Sequence, residues 1–356
     1  MKIAVGLSGG VDSCMAAWLL RQEGHEIVGI TMKLGNGNGQ GLSGACCAGS
    51  LEEKNLAAAA DVAKRMGIEH HIIDMADIWH EKVFARFLAD YRQGLTPNPC
   101  VVCNEQVKFS AFLAAAQSAG IAFDKFATGH YARIVRDGDR PYRLLTGTDP
   151  SKDQSYFLSR LAQPQLAATL FPLGGLYKKD IVAMARKAGF DETAAREESQ
   201  DFAGDNGYDA FFGADDEAPG PVVDTAGKLL GTHRGIVHYT VGQRKNLGIA
   251  VGEKVYVKSI DPATRTVVLG RRNEVEASSC IMADPVWVSG CAPEDGFRCQ
   301  VRLRYRHPGV AAELRCENGV WRARFDRPQF AVAPGQAIAA YSGEEVIGSG
   351  WIRNER

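Results

Sequence analysis

The chain has 356 residues, 45% of them apolar and 23% charged, with 41 Lys and Arg against 42 Asp and Glu. The length allows two or three domains with ample buried core, and the near-neutral balance argues against a general nucleic-acid binder. No run of about 18 apolar residues occurs, which excludes a spanning helix, and the opening strand lacks the long apolar centre of an export signal. Nine cysteines, an odd number, then fit reduced thiols and a cytoplasmic setting. Charge is unevenly spread. Residues 231–356 hold 18 Lys and Arg against 13 Asp and Glu, and residues 1–230 hold 23 against 29. An anionic partner is therefore expected mainly on the C-terminal part.

Lys2-Ile3-Ala4-Val5-Gly6 reads as a strand, and Met15, Ala16, Trp18, Leu19 and Leu20 set a helical spacing over 12–23. Between them lies Leu7-Ser8-Gly9-Gly10-Val11-Asp12-Ser13. Backbone N–H groups in such a turn face an incoming anion, and the helix dipole adds partial positive charge. Gly9 and Gly10 let the chain approach phosphate without a Cβ in the way. Ser8 and Ser13 add hydroxyls, and Asp12 is placed to cap the helix or help hold Mg²⁺. No lysine follows as in a Walker A loop, so this is another kind of phosphate cradle. The plain alternative is a small, polar strand–helix turn.

Glu26 to Met32 reads as a second strand, Leu51 to Met66 as an alanine-rich helix and His70 to Asp74 as a third strand. Asp77 to Tyr91 and Lys108 to Ser118 read as helices, and Lys125 to Thr128 as a strand. This alternation implies a parallel sheet with helices on both faces and a ligand site at the carboxyl ends of the strands. Met32 ends the second strand, where it either touches an adenine or serves as core. Residues 33–50 are glycine-rich and read as a lid or a surface insertion; their Cys46 and Cys47 are adjacent and cannot easily share one metal.

In Thr96-Pro97-Asn98-Pro99-Cys100-Val101-Val102-Cys103-Asn104, Asn98 suits an N-cap and Pro99 the first helical position. Cys100 and Cys103 then share a face of the first turn, where the helix N-terminus is expected to lower a thiol pKa. A nucleophile, a redox pair or half of a metal site would suit that place. Zinc needs a second pair, and no second CxxC occurs. From about residue 219 short β-runs take over, among them Val255–Ile260, Thr266–Leu269, Arg298–Tyr305, Ala311–Arg315 and Val320–Phe325. Arg298, Arg302, Arg304 and Arg306 alternate along one expected strand and share a face. With Arg322 and Arg324 they make a phosphate-binding surface or a solvated barrel face.

Ser8-Gly9-Gly10-Val11-Asp12-Ser13 resembles the PP-loop of ATP pyrophosphatases, which split ATP between the α and β phosphates and place AMP on an oxygen. The resemblance narrows with residues 96–104, Lys108-Phe109, Ala127-Thr128-Gly129-His130-Tyr131-Ala132-Arg133 and Lys152-Asp153-Gln154-Ser155-Tyr156-Phe157-Leu158. It continues through Leu170-Phe171-Pro172-Leu173-Gly174, Glu198-Ser199-Gln200-Asp201, residues 239–245, Arg304-Tyr305-Arg306-His307 and residues 328–336. Over nearly its whole length the chain is similar to the bacterial and organellar tRNA 2-thiouridylases.

That resemblance implies an α/β PP-loop domain at 1–205, a small β-rich central domain at 206–278 and a C-terminal β-barrel at 279–356. It implies that Gly6, Leu7, Ser8, Gly9, Gly10, Val11, Asp12 and Ser13, with Met32 and Gly129, hold ATP and Mg²⁺. Asn98, Pro99, His130, Lys152, Asp153, Gln154, Arg304, Tyr305 and Gln336 are implied to contact tRNA. Cys103 and Cys100, with Asp12, are implied to carry the chemistry, which replaces the C2 oxygen of the wobble uridine with sulfur. The sulfur donor is a carrier protein, a cysteine desulfurase or sulfide.

One departure matters. Family members carry a second cysteine after the Ser-Gln-Asp block, and here Ala203 stands in that place. Three repairs are open. Cys103 carries a persulfide that Cys100 resolves; Cys100, Cys103 and Cys46 or Cys47 hold an iron–sulfur cluster; or thiolation is lost. The last leaves an adenylating or RNA-binding paralogue, and a small-substrate adenylating ligase is a further alternative.

Overall fold

The structure, a computed structural model, describes residues 1–35, 52–196 and 208–355. Strands β1 (Lys2–Gly6), β2 (Glu26–Lys33), β3 (Glu69–Asp74) and β4 (Lys125–Ala127) all run parallel. After β4, β5 (Ala132–Val135) and β6 (Arg143–Thr146) form an antiparallel hairpin, and β7 (Thr169–Leu170) returns to the parallel sheet. The sheet order is β3-β2-β1-β4-β7. Ile3, Ala4, Val5, Phe126 and Ala127 are completely buried, the unbroken apolar run that a sheet covered on both faces requires.

Alternate residues of β1 feed two cores. Ile3 and Val5 pack with α1 (Val11–Gln22), α2 (Glu52–Met66) and the helix Lys178–Lys187 through Met15, Val62 and Ile181. Ala4 faces the opposite core, where Trp79, Phe87, Val107 and Phe112 belong to two long helical runs. One run joins Ala76–Trp79, His80–Phe84 and Ala85–Arg92; the other joins Pro99–Val102, Cys103–Ala111 and Phe112–Ser118. Both pass through wider π-type turns, a feature often found at functional sites. The helix start expected at Pro99 and the helix expected over Lys108 to Ser118 form one continuous run, because buried Val101, Val102 and Val107 continue the apolar face past polar Glu105 and Gln106.

The middle unit pairs β8 (Gly220–Asp224), β9 (Leu229–His233), β10 (Tyr256–Asp261) and β11 (Thr266–Gly270) in the order β10-β11-β8-β9. The last unit runs from β12 (Glu276–Trp287) through β13 (Phe297–Arg302), β14 (Val310–Glu317), β15 (Val320–Phe330), β16 (Ala337–Ser342) and β17 (Glu345–Arg353). Pairing of β12 with both β15 and β17 closes these six strands into a barrel. The hairpin β5–β6 joins this sheet, with Leu144 opposite Val346 and Leu145 opposite Glu345. A segment lying between two nucleotide-sheet strands in sequence is thus bonded to the barrel. Among the described residues no helix is long and apolar enough to cross a membrane.

The single arginine face does not form. Strand β13 ends at Arg302, where the chain turns toward Pro308 and Gly309, the latter at φ +91°. Arg302 ion-pairs with Asp153 at 2.6 Å, and Arg298 pairs with Asp326 at 2.5 Å. Arg322 and Arg324 both pair with Glu317.

Candidate active site

The glycine loop sits at the carboxyl end of β1 and is fixed from three sides. Leu7 N–H donates to the Ile30 carbonyl at 2.9 Å, and Thr31 Oγ1 donates to the Leu7 carbonyl at 2.8 Å. Ser13 Oγ accepts from Ser8 N–H at 3.1 Å and donates to the Gly10 carbonyl at 3.0 Å. Gly9 has φ +76°, and a Cβ there would lie 2.7 Å from Ala58 Cβ and 2.8 Å from the Asn55 carbonyl, so α2 leaves room only for glycine. Gly6 ends β1, while Leu7 and Val11 are buried beneath the loop. The first intrahelical bond runs from Cys14 N–H to the Gly10 carbonyl, and no side chain caps the helix. The N–H groups of its first turn therefore lack intrahelical acceptors, the arrangement an anion completes.

Asp12 does not cap that helix. Its Oδ1 accepts from Tyr131 Oη at 2.7 Å, and Lys178 Nζ lies 2.7 Å from both carboxylate oxygens. With Lys178 and Tyr131 on its carboxylate, Asp12 is open to a Mg²⁺ ion only when the lysine moves off it. Gly129 lies against the same turn: a Cβ on it would sit 2.6 Å from the Asp12 carbonyl carbon. Met32, near the end of β2, is half-buried against the apolar cluster that holds Trp79 and Cys103.

Two of the three residues Lys152, Asp153 and Gln154 point inward, contrary to the polar surface stretch expected. Asp153, 7% exposed, accepts from Gly147 N–H, Ser155 N–H and Ser155 Oγ, each at 3.0 Å, besides its bond to Arg302. Gln154 bonds Tyr131 twice, Oε1 accepting from its N–H and the Gln154 N–H donating to its carbonyl, both at 2.9 Å. Both residues close turns that hold Tyr131 in place, a use of polarity that composition does not separate from exposure. Lys152 stays half-buried beside Asp149.

The thiol helix starts as expected: Asn98 Oδ1 accepts from Val101 N–H at 3.2 Å and Pro99 takes the first position. Cys100 and Cys103 are thiols one turn apart, each partly accessible. The expected depression of the thiol pKa is overturned at Cys103, where burial raises it above 9.0. The Lys108 ammonium and a hydrogen bond from the Trp79 indole oppose that rise without cancelling it. His130 is held neutral, its pKa pushed well below 6.5 by burial and by Lys108. It bonds Thr128 Oγ1 at 2.7 Å, with Phe109 and Phe171 rings 5.7 and 5.8 Å away. Gly129 thus lies against Asp12 while the next residue, His130, and Cys103 both feel the Lys108 ammonium. Among the described residues no three His, Cys, Asp or Glu gather as a metal site. Cys46, Cys47 and Ala203 lie outside the described residues.

The barrel reaches this site. Gln336, expected to touch RNA, donates from Nε2 to the Thr96 and Pro97 carbonyls at 3.2 and 3.0 Å and accepts from Asn98 at 3.4 Å. Thr96 N–H donates to the Pro334 carbonyl at 2.7 Å, and Tyr156 Oη donates to the Ala337 carbonyl at 2.9 Å. Buried Arg160 links Glu105 of the thiol helix, at 2.8 Å, to the Asp284 carbonyl. Gln336 therefore positions the segment before the thiols. Gln336→Leu is expected to destabilise the protein by about 1–2 kcal/mol, with sulfur transfer falling more than nucleotide binding. Thermal melting and nucleotide titration on the variant check this; equal losses in both functions would contradict it. Arg304 and Arg306 are exposed in the turn after β13 and make no ion pair among the described residues. Between them Tyr305 packs on Phe157 with ring centroids 4.4 Å apart.

A parallel sheet with this loop at its centre defines a PP-loop nucleotide-binding α/β domain, here closed over by two β units. Family models match in the same three parts: the tRNA methyl transferase HUP domain over residues 1–203, the tRNA methyl transferase PRC-barrel domain over 214–271 and the aminomethyltransferase β-barrel domain over 277–352. The chain is 42% identical over 357 residues to the tRNA-specific 2-thiouridylase MnmA of Nostoc punctiforme, covering 99% of this chain and 98% of the relative. It is 40% identical over 358 residues to the same-named protein of Chloroflexus aurantiacus, again covering 99% and 98%. A 4-thiouridine synthetase in complex with RNA and ATP aligns at 17% identity over 57% of this chain and 45% of that one, with a TM-score of 0.34, too slight a likeness to carry weight. The chain belongs to the tRNA-specific 2-thiouridylase family.

Proposed function

We propose that the protein is an ATP-dependent tRNA 2-thiouridylase that works through the Cys100/Cys103 pair. The observation that carries this is the turn after β4, where Gly129 lies against Asp12 in the first turn of α1 and its neighbour His130 feels the Lys108 ammonium that also acts on Cys103, so the loop and the thiol helix approach one turn although they pack on opposite faces of the sheet. The first-turn N–H groups of α1 receive the phosphates of ATP, which brings its own Mg²⁺. The wobble uracil leaves the anticodon stack, as bases do for other base-modifying enzymes. Its C2 oxygen attacks the α-phosphorus, the α–β bridge breaks and pyrophosphate leaves with the electron pair. Activation converts a poor leaving oxygen into AMP.

Cys103, charged as a persulfide by taking the outer sulfur of an external persulfide donor, which leaves as its thiolate, then attacks C2 with its terminal sulfur and expels AMP. The Cys100 thiolate attacks Cys103 Sγ, which forms a Cys100–Cys103 disulfide and releases 2-thiouridine; a thiol reductant resets the pair. This route does not use the cysteine missing at 203. An iron–sulfur cluster would draw on Cys46 or Cys47, which lie outside the described residues. Arg304, Tyr305, Lys152, Asn98, Pro99 and His130 are the proposed tRNA contacts, with residues 1–205 as catalytic domain, 206–278 as central domain and 279–356 as RNA-contacting barrel. Asp153, Gln154 and Gln336 act behind them. Reduced thiols suit a cytoplasmic enzyme.

Pyrophosphate release tests the substrate. Unmodified tRNA with a wobble uridine should stimulate release from ATP, and the same tRNA with cytidine there should not. Equal release without any RNA would favour a small-substrate ligase.

A further inference from the structure

We propose that Lys178 is the phosphate-binding lysine of this site, delivered by the fold to a loop whose own sequence lacks one. The inference rests on reading that loop as the ATP cradle, and it names the group that meets the outer phosphates. Lys178 lies 166 residues from Asp12, yet its ammonium is 2.7 Å from both Asp12 oxygens, with the side chain 13% exposed. It is the first residue of the helix Lys178–Lys187 and also faces the first turn of α1. Both helices present their positive ends there, where a cation is disfavoured unless an anion accompanies it.

Without nucleotide, Asp12 is that anion. The Asp149 carboxylate fixes the backbone by accepting from Lys178 N–H at 3.0 Å, and the Tyr131 ring lies 5.8 Å from the ammonium. A triphosphate carries several negative charges and competes with one carboxylate for the lysine. As the bond from the α-phosphorus to the bridging oxygen breaks, that oxygen keeps the electron pair, and the ammonium offsets its growing charge without giving up a proton. A lysine in the sequence of a P-loop does similar work for the β and γ phosphates.

The test is equilibrium binding of ATP and AMP to full-length Lys178→Met and Lys178→Arg, with melting temperatures measured on each. Lys178→Met should lose about tenfold or more in ATP affinity while AMP stays within about twofold, and pyrophosphate release should fall about 100-fold. Lys178→Arg, which keeps the charge and the pair with Asp12, should recover much of the ATP affinity and remain folded. Equal loss for ATP and AMP would overturn the proposal, leaving a lysine that only props Asp12. Unchanged ATP affinity in Lys178→Met would overturn it as well. If native protein binds neither nucleotide, the cradle reading itself fails, and the lysine role falls with it.

Discussion

Gly129→Ala is expected to eliminate ATP-dependent activity and to lower stability by about 2–3 kcal/mol. The added Cβ would lie 2.6 Å from the Asp12 carbonyl carbon and 2.8 Å from both its Cβ and its carbonyl oxygen. These atoms are mostly backbone of the first turn of α1, so no side-chain rotation relieves the clash. Either the turn after β4 lifts or the helix start moves, and in both cases the N–H groups lose their aim at phosphate. Gly175→Ala is the control, because its Cβ meets nothing within 4 Å and its φ lies outside the left-handed region. Thermal melting and the KM for ATP separate the pair. A Gly129→Ala protein as stable and active as Gly175→Ala would refute the packing account.

Cys103→Ser should reduce thiouridine formation by a factor of about 1,000 or more, because no other group takes up the sulfur, while tRNA-dependent pyrophosphate release stays within a few-fold. Cys100→Ser should differ in kind: uridine becomes joined through sulfur to Cys103 and stalls, giving a covalent tRNA–protein band that a thiol reductant releases. Burial raises the Cys103 thiol pKa over that of an exposed cysteine, so its thiolate fraction is lower than an exposed thiol's at the same pH. Charging of that thiol should accordingly accelerate from pH 7 to 9 as the thiolate fraction grows. A flat charging rate over that range would contradict the burial argument, and covalent capture in Cys103→Ser would move the nucleophile elsewhere.

Local signals in the sequence were enough for the loop, the N-cap at Asn98 and Pro99, and most nucleotide-sheet elements. Each rests on near neighbours: glycines beside a strand end, a capping side chain three residues from its acceptor, apolar spacing along one helix. Relations across the chain were not legible. Nothing near Lys178 announces Asp12, and nothing in residues 132–146 says that the hairpin pairs with β17 rather than β4. Polarity also misled in one consistent way. Asp153, Gln154, Arg302 and Gln336 look like surface groups offered to a ligand, and the fold spends their bonds on its own turns and seams. The Cys103 pKa went wrong because burial outweighs a helix terminus, and burial is a property of the whole fold.

The central claim is that this chain makes 2-thiouridine with the thiols at 100 and 103 although 203 is alanine. Native protein, prepared without oxygen, is incubated with unmodified tRNA, ATP, a thiol reductant and a cysteine desulfurase with free cysteine as the persulfide source, and the nucleosides are read by mass spectrometry. The account predicts 2-thiouridine at the wobble position, with one AMP and one pyrophosphate formed for each, and no bound iron required. Pyrophosphate released with tRNA but no thiouridine formed would contradict it, and would leave an adenylating paralogue.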